Sequence, residues 1–217
     1  MKKTRFFVLA VVFVAVAMLA SCATYNTRGT IPNLGRIEEK KIIRQSDGKV
    51  TIIAFPIMNQ EDSERYFDEN LLESRVFSDR ILAVFLEARN NSSEIIKVDS
   101  ATLKIGEVAI VSAPSDVAYK LIRREYAGKA FLWMAPTLYI GGPISLAHTA
   151  NINSKIEGDL KEKAFVFGEI KANGSSVGFV WFQVSDKEMA GDALPKGMTL
   201  VVKLTNKEIL LKLPDVN

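Results

Sequence analysis

Residues 177–184 read Val177-Gly178-Phe179-Val180-Trp181-Phe182-Gln183-Val184, apolar on both parities of an extended chain. Successive side chains of a strand point to opposite faces. A run apolar on both parities is therefore expected at the centre of a sheet that is covered above and below. Turn chemistry in Asn173-Gly174-Ser175-Ser176 precedes it. After a loop around Gly191 and Pro195, Met198, Leu200, Val202 and Leu204 alternate with Thr199, Val201, Lys203 and Thr205. Ile209, Leu211 and Leu213 then alternate with Glu208, Leu210 and Lys212, which predicts a terminal hairpin across Asn206-Lys207.

Toward the N-terminus the same period recurs. Leu82, Val84, Leu86 and Ala88 share one face of a strand predicted from Arg80 to Arg89, closed by the turn Asn90-Asn91-Ser92-Ser93. Ile95 to Val98, Ala101 to Ile105 and Glu107 to Val111 read as three short strands divided by Asp99-Ser100 and Gly106. Val50 to Ile57 is β-rich and stops near Pro56, and Asp62 or Ser63 offers a cap for a short helix carrying Tyr66, Phe67, Leu71 and Leu72. About seven short strands with turn signals predict a mainly β fold, a β-sandwich over residues 49–217.

A different pattern interrupts it. Ser112 or Ser115 is expected to cap a helix near Asp116 to Tyr126, with Ala118, Leu121, Ile122 and Tyr126 at helical spacing and Gly128 as its stop. Ala130 to Ser154 contains no Asp, Glu, Lys or Arg, and Ser154 to Phe165 reads as helical. Together these define a helical insertion over residues 112–165. Pro136, Gly141-Gly142 and Pro143 divide residues 130–150 into halves too short for a straight span. An uncharged stretch of this size has to be hidden by the sandwich, a partner or lipid. A buried helical hairpin is expected, with Trp133, Leu138, Tyr139 and Ile140 as the apolar interaction surface if it is exposed instead.

The N-terminus has the build of a secretory signal: Lys2, Lys3 and Arg5, the apolar run Phe6 to Leu19, then Leu19-Ala20-Ser21-Cys22. The run is shorter than the roughly 20 residues of a membrane span. Leu19 to Cys22 resembles the lipobox of bacterial lipoproteins. That resemblance implies diacylglycerylation of the Cys22 thiol, cleavage between Ser21 and Cys22, and acylation of the new amino group, with palmitate among the acyl chains. Ala23 stands where an aspartate would retain the protein at the inner membrane under the sorting rule of enteric Gram-negative bacteria. By that analogy the chain is expected at the outer membrane, facing the periplasm. Residues 1–21 then form the signal peptide and residues 22–48, polar and broken by Gly29, Pro32, Gly35 and Gly48, a flexible tether.

A second resemblance rests on spaced residues: Tyr66-Phe67-Asp68, Leu71-Leu72, Ile81 to Arg89 running into Asn90-Asn91-Ser92-Ser93, and Gly178 to Phe182. This pattern is similar to that of bacterial envelope lipoproteins with immunoglobulin-like sandwiches and a small-residue-rich helical insertion. It implies the immunoglobulin-like arrangement and brings no catalytic residue with it.

Charge narrows the function classes. The formal charge is +3, but Lys2, Lys3 and Arg5 leave with the signal, which brings the 28 Lys and Arg level with the 25 Asp and Glu. A neutral body has no basic face with which to displace phosphate counterions, so nucleic acid is not an expected partner. With the one cysteine taken by lipid, neither a disulfide nor a cysteine zinc site is expected. His148 is the one histidine. No serine is expected on a nucleophile elbow, and Gly141-Gly142 lacks the lysine of a phosphate loop. The adjacent acids Glu61-Asp62 read as helix-start residues more readily than as a glycosidase pair. The expectation is a lipid-anchored cell-envelope protein with a binding or structural role, no metal or cofactor, and two partners: the membrane through Cys22 and an envelope protein. The alternatives are an enzyme acting on envelope polymers and a membrane-perturbing protein using residues 130–150.

Overall fold

The computed structural model describes residues 25, 27, 31–68, 71, 79–123, 141–185 and 195–215, with 79 and 141–149 described by backbone alone. The described strands form two antiparallel sheets. Sheet 1 has the order β1 (Ile43–Ser46), β2 (Val50–Pro56), β3 (Asp79–Asn90), β7 (Ser175–Ser185). Sheet 2 has the order β5 (Val108–Val111), β4 (Ile96–Ile105), β8 (Thr199–Leu204), β9 (Lys207–Lys212), and β6 (Gly168–Ile170) also pairs with β4. The fold is mainly β, as expected. Contacts divide the chain into two compact units, Met1–Asn26 with Arg124–Lys155, and Thr27–Arg123 with Ile156–Asn217. All nine described strands belong to the second unit; the first contributes Tyr25 and the start of a long helix to the described residues.

Parity decides what each strand buries. Val50, Ile52 and Ala54 of β2, Leu82, Val84, Leu86 and Ala88 of β3, and Val180, Phe182 and Val184 of β7 join one core with the inward residues of sheet 2. There Leu200, Val202, Ile209 and Leu211 follow the expected alternation. The two short strands expected on either side of Asp99-Ser100 are one strand, β4. A bulge between Val98 and Ser100 shifts its register against β8, so the inward set changes from Val98 to Ala101 and Leu103. One extra residue exchanges the two faces of a strand, and this change of parity is what mimics a break in the sequence.

Two other expectations are corrected. β1 lies inside the stretch expected as tether and pairs along β2 from Ile43↔Ala54 to Ser46↔Thr51. Its residues are largely exposed, so backbone pairing and not side-chain burial makes it a strand. The short helix α1 (Gln60–Phe67) is capped by Asn59, whose side chain accepts from the Asp62 amide at 2.8 Å, not by Asp62 or Ser63. Asn90 meets its expected turn: it is buried, and its Nδ2 donates to the carbonyls of Glu94, Ile170 and Lys171 at 2.6, 3.0 and 3.0 Å, holding the β3–β4 and β6–β7 turns together.

The other face of sheet 1 is also covered. Tyr66 and Phe67 of α1 lie against Phe55, Phe179 and Trp181, with ring centroids 4.7 to 6.2 Å apart. Helix α2 (Ser115–Ile122) contacts β3 and β7. It follows Pro114 without a side-chain cap, so neither Ser112 nor Ser115 caps it. Helix α3 (Gly141–Lys163) includes the segment expected as helical from Ser154.

The insertion interrupts an edge strand. β5 and β6 both run antiparallel to β4, β5 opposite Thr102 to Ile105 and β6 opposite Ile96 to Val98. Between them the chain leaves by Ala113, which bridges Trp181, and returns by Ala164, which bridges Phe179. Both bridges lie on β7, the last strand of sheet 1. They cover an edge that would otherwise present unpaired backbone groups. The return is close: a Cβ on Gly178 would lie 2.5 Å from the Phe165 nitrogen and 2.7 Å from the Ala164 carbonyl carbon. Only glycine lets these backbones meet.

Candidate functional site

The place where the insertion leaves and rejoins the sandwich forms a cleft of about 240 Å³, bounded by Ser112 to Ser115 on one side and Ala164, Phe165 and Phe167 on the other, with Phe179 to Trp181 as its floor. Hydrogen bonds fix both walls to that floor: Ala113 N donates to Trp181 O at 2.7 Å, and Phe165 N to Phe179 O at 2.8 Å. The lining offers two serine hydroxyls and no ionisable side chain. Such a cleft is smaller than the roughly 300 to 1,000 Å³ of most ligand pockets. Its chemistry suits a short apolar group, not acid–base work.

Beneath α1 lies a second constellation that sequence reading missed. Lys163 and Asp159, one turn apart on α3, are buried with side-chain exposures of 4% and 2%, and Lys163 Nζ donates to Asp159 Oδ2 at 2.9 Å. The same ammonium donates to the Tyr66 carbonyl and sits 5.1 Å from the centre of the Phe67 ring. The last carbonyls of a helix carry partial negative charge, so the C-terminal turn of α1 receives a cation from α3. Paired, hydrogen-bonded and set over a ring face, the charge is compensated in the ways burial demands. Burial pushes the Tyr66 hydroxyl above its ordinary pKa, with the charge of Arg65 acting in the opposite direction. Among the described residues, Trp181 Nε1 is buried with no hydrogen-bond partner. Its indole stacks on Phe179 at 25° and meets the edge of Phe67.

Of the residues singled out from sequence, Ser21, Cys22, Trp133, Leu138, Tyr139 and Ile140 lie outside the described residues, and so does Gly128. His148 lies in α3, its side chain also outside them. Trp181 and Phe182 are fully buried, on opposite faces of β7. Glu61 is bound to Arg65 at 2.8 Å, while Asp62 Oδ2 accepts from Lys41 at 2.9 Å and Asn59 at 3.0 Å. Asp62 therefore holds the start of α1, while Glu61 makes an exposed ion pair one turn along it. The spacing of a nucleophile elbow does occur, contrary to expectation, in Gly174-Ser175-Ser176-Val177-Gly178. Ser176 lies within β7 opposite Ala88, and its hydroxyl contacts the Val166 carbonyl at 3.1 Å; the strand-to-helix turn that such a motif requires is not formed there. Among the described residues, no cluster of three or more His, Cys, Asp or Glu side chains is placed to hold a metal ion, and no helix is long and apolar enough to cross a membrane.

The geometry defines a two-sheet antiparallel sandwich with helices on one outer face. No family model matches the chain, and no curated protein matches it. Among solved structures it is similar to ycdA from Bacillus subtilis subsp. subtilis strain 168, a protein provisionally assigned as a lipoprotein, at 11% identity and a TM-score of 0.38. The likeness covers 78% of this chain and 38% of that one, so the chain spans well under half the length of the protein it matches.

Proposed function

We propose that the chain is a lipid-anchored protein of the cell envelope, held at the outer membrane by acyl chains on Cys22, palmitate among them, with its sandwich facing the periplasm. It acts by binding an envelope partner or by structural support, not by catalysis. The stretch Leu19-Ala20-Ser21-Cys22, behind a basic and then apolar N-terminus, carries the proposal. Each buried methylene adds about 0.8 kcal/mol, and several acyl chains hold where a single one is marginal. The engagement of Asp62 by Lys41 and Asn59 supports the non-catalytic reading, as does the uncharged lining of the β7 cleft.

Cys22→Ala is expected to abolish incorporation of labelled palmitate and cleavage after Ser21, measured by autoradiography and by the mass of the processed chain. Normal labelling of that variant would end the lipoprotein reading.

A further inference from the structure

The outward side chains of sheet 2 fall into cross-strand rows. The register Thr102↔Val111, Thr102↔Val201 and Val201↔Leu210 sets Val111, Thr102, Val201 and Leu210 in one row across β5, β4, β8 and β9. Val111 is 66% and Leu210 57% exposed, so both ends of this row meet solvent. The next row is Ala109, Lys104, Thr199 and Lys212, and the row on the other side is Ser100, Lys203 and Glu208. Three lysines and one glutamate thus border an apolar stripe. The inward neighbours Leu103, Leu200, Val202 and Leu211 belong to the core, so this row points away from it; within the row Val201 is buried among its neighbours, and Val111 and Leu210 are the apolar side chains that meet solvent.

We propose that this face docks on the anionic headgroup surface of the membrane that holds Cys22; the proposal rests on the anchored reading above. Lysines near an anionic leaflet gain electrostatic attraction while their stems cover apolar surface, and Val and Leu side chains reach the headgroup boundary. A second copy of the chain would bring the same lysines against each other.

Connectivity favours the same occupant. The chain coming from Cys22 enters the sandwich at β1, which contacts β9, and Lys207 at the start of β9 pairs with Asp47 just after β1. Between Cys22 and Ile43 the chain can reach at most about 70 Å. Tethering on that scale supplies an effective concentration of the order of millimolar. A face with two exposed apolar side chains and three lysines, too weak to bind a bilayer from solution, then suffices.

Cys22 is acylated in the mature chain, so Leu210→Cys introduces its one free thiol, which takes an environment-sensitive dye. The lipidated protein is reconstituted into phosphatidylcholine vesicles with and without phosphatidylglycerol, alongside a control labelled at Ser175→Cys. The dye at position 210 should move to interfacial emission only in the anionic vesicles, and the control should not respond. At about fivefold in partitioning per lysine, Lys104→Gln, Lys203→Gln and Lys212→Gln together should lower the docked population about a hundredfold. A protein that floats with the vesicles while the dye at 210 stays aqueous, or responds equally without phosphatidylglycerol, overturns the docking. A response that depends on protein density and not on lipid charge assigns the face to a second copy and overturns it too. A chain that neither incorporates palmitate nor floats overturns the anchor, and the docking with it.

Discussion

β7 packs two chemistries at once. Toward sheet 2 it turns Val180, Phe182 and Val184 into a cluster of buried apolar side chains from both sheets. Away from sheet 2, Phe179 meets Phe67 and Phe85, Trp181 meets Phe67, and Lys163, paired with the buried Asp159, sits over the Phe67 ring. The inner contact is non-directional: its free energy follows the apolar area removed from water, and modest repacking is tolerated. The outer contact has one geometry, because an ammonium that must reach a carboxylate, a helix-end carbonyl and a ring face fixes how α3 approaches α1. Sheet pairing therefore supplies bulk stability, and the helical side supplies orientation.

The largest effect is expected where that orientation is broken. Lys163→Met takes the ammonium away from the buried Asp159 carboxylate and should cost about 3–5 kcal/mol in urea unfolding. Adding Asp159→Leu should recover most of the loss, since a buried pair replaced by apolar side chains is often neutral. If the single variant unfolds at the wild-type midpoint, the two sides of sheet 1 do not differ as described. On the inner side, Leu200→Ala should cost about 2–5 kcal/mol, with no second substitution on a polar partner able to restore it.

Gly178→Ala probes the boundary between the two sides. Its Cβ would collide with the backbone of Ala164 and Phe165, for about 1–3 kcal/mol, and hydrogen exchange at the Phe165 amide should accelerate because its bond to Phe179 is strained. The smallest effect is alkaline. Burial raises the Tyr66 pKa above its unfolded value of 10.0, so the folded state binds the proton more tightly. Its contribution is fully present below about pH 10 and is lost as pH rises through the higher folded value. Tyr66→Phe should remove that part of the fall in melting temperature, read against tyrosinate absorbance.

The elements that sequence reading recovered are those whose side chains report burial: β2, β3, β7 and the β8–β9 hairpin alternate as half-buried or central strands do. β1 was hidden because Arg44, Gln45 and Ser46 are exposed, and only their backbone pairing with β2 makes a strand. β4 was divided because the bulge at Asp99 exchanges its faces. Asp159 and Lys163 were invisible for another reason: acids and lysines four apart on a helix ordinarily sit in solvent, as Glu157 and Lys161 do beside them. Their burial follows from where α3 lies against α1, which is a tertiary fact. The cleft likewise exists only because Ala113 and Ala164 meet one strand from opposite ends of the insertion.

Those two meetings have a consequence for how such a protein diversifies. Ala113 and Ala164 are pinned to Trp181 and Phe179, two residues apart on β7, so the ends of the inserted segment are held together whatever lies between them. Closing a longer loop costs only about 0.6 kcal/mol for each doubling of its length. The break between β5 and β6 is thus a socket: both half-strands stay on β4 whatever the length of the chain between α2 and the last turns of α3, whereas a cassette that replaced α2 or the Asp159–Lys163 turn would strip the outer side of sheet 1.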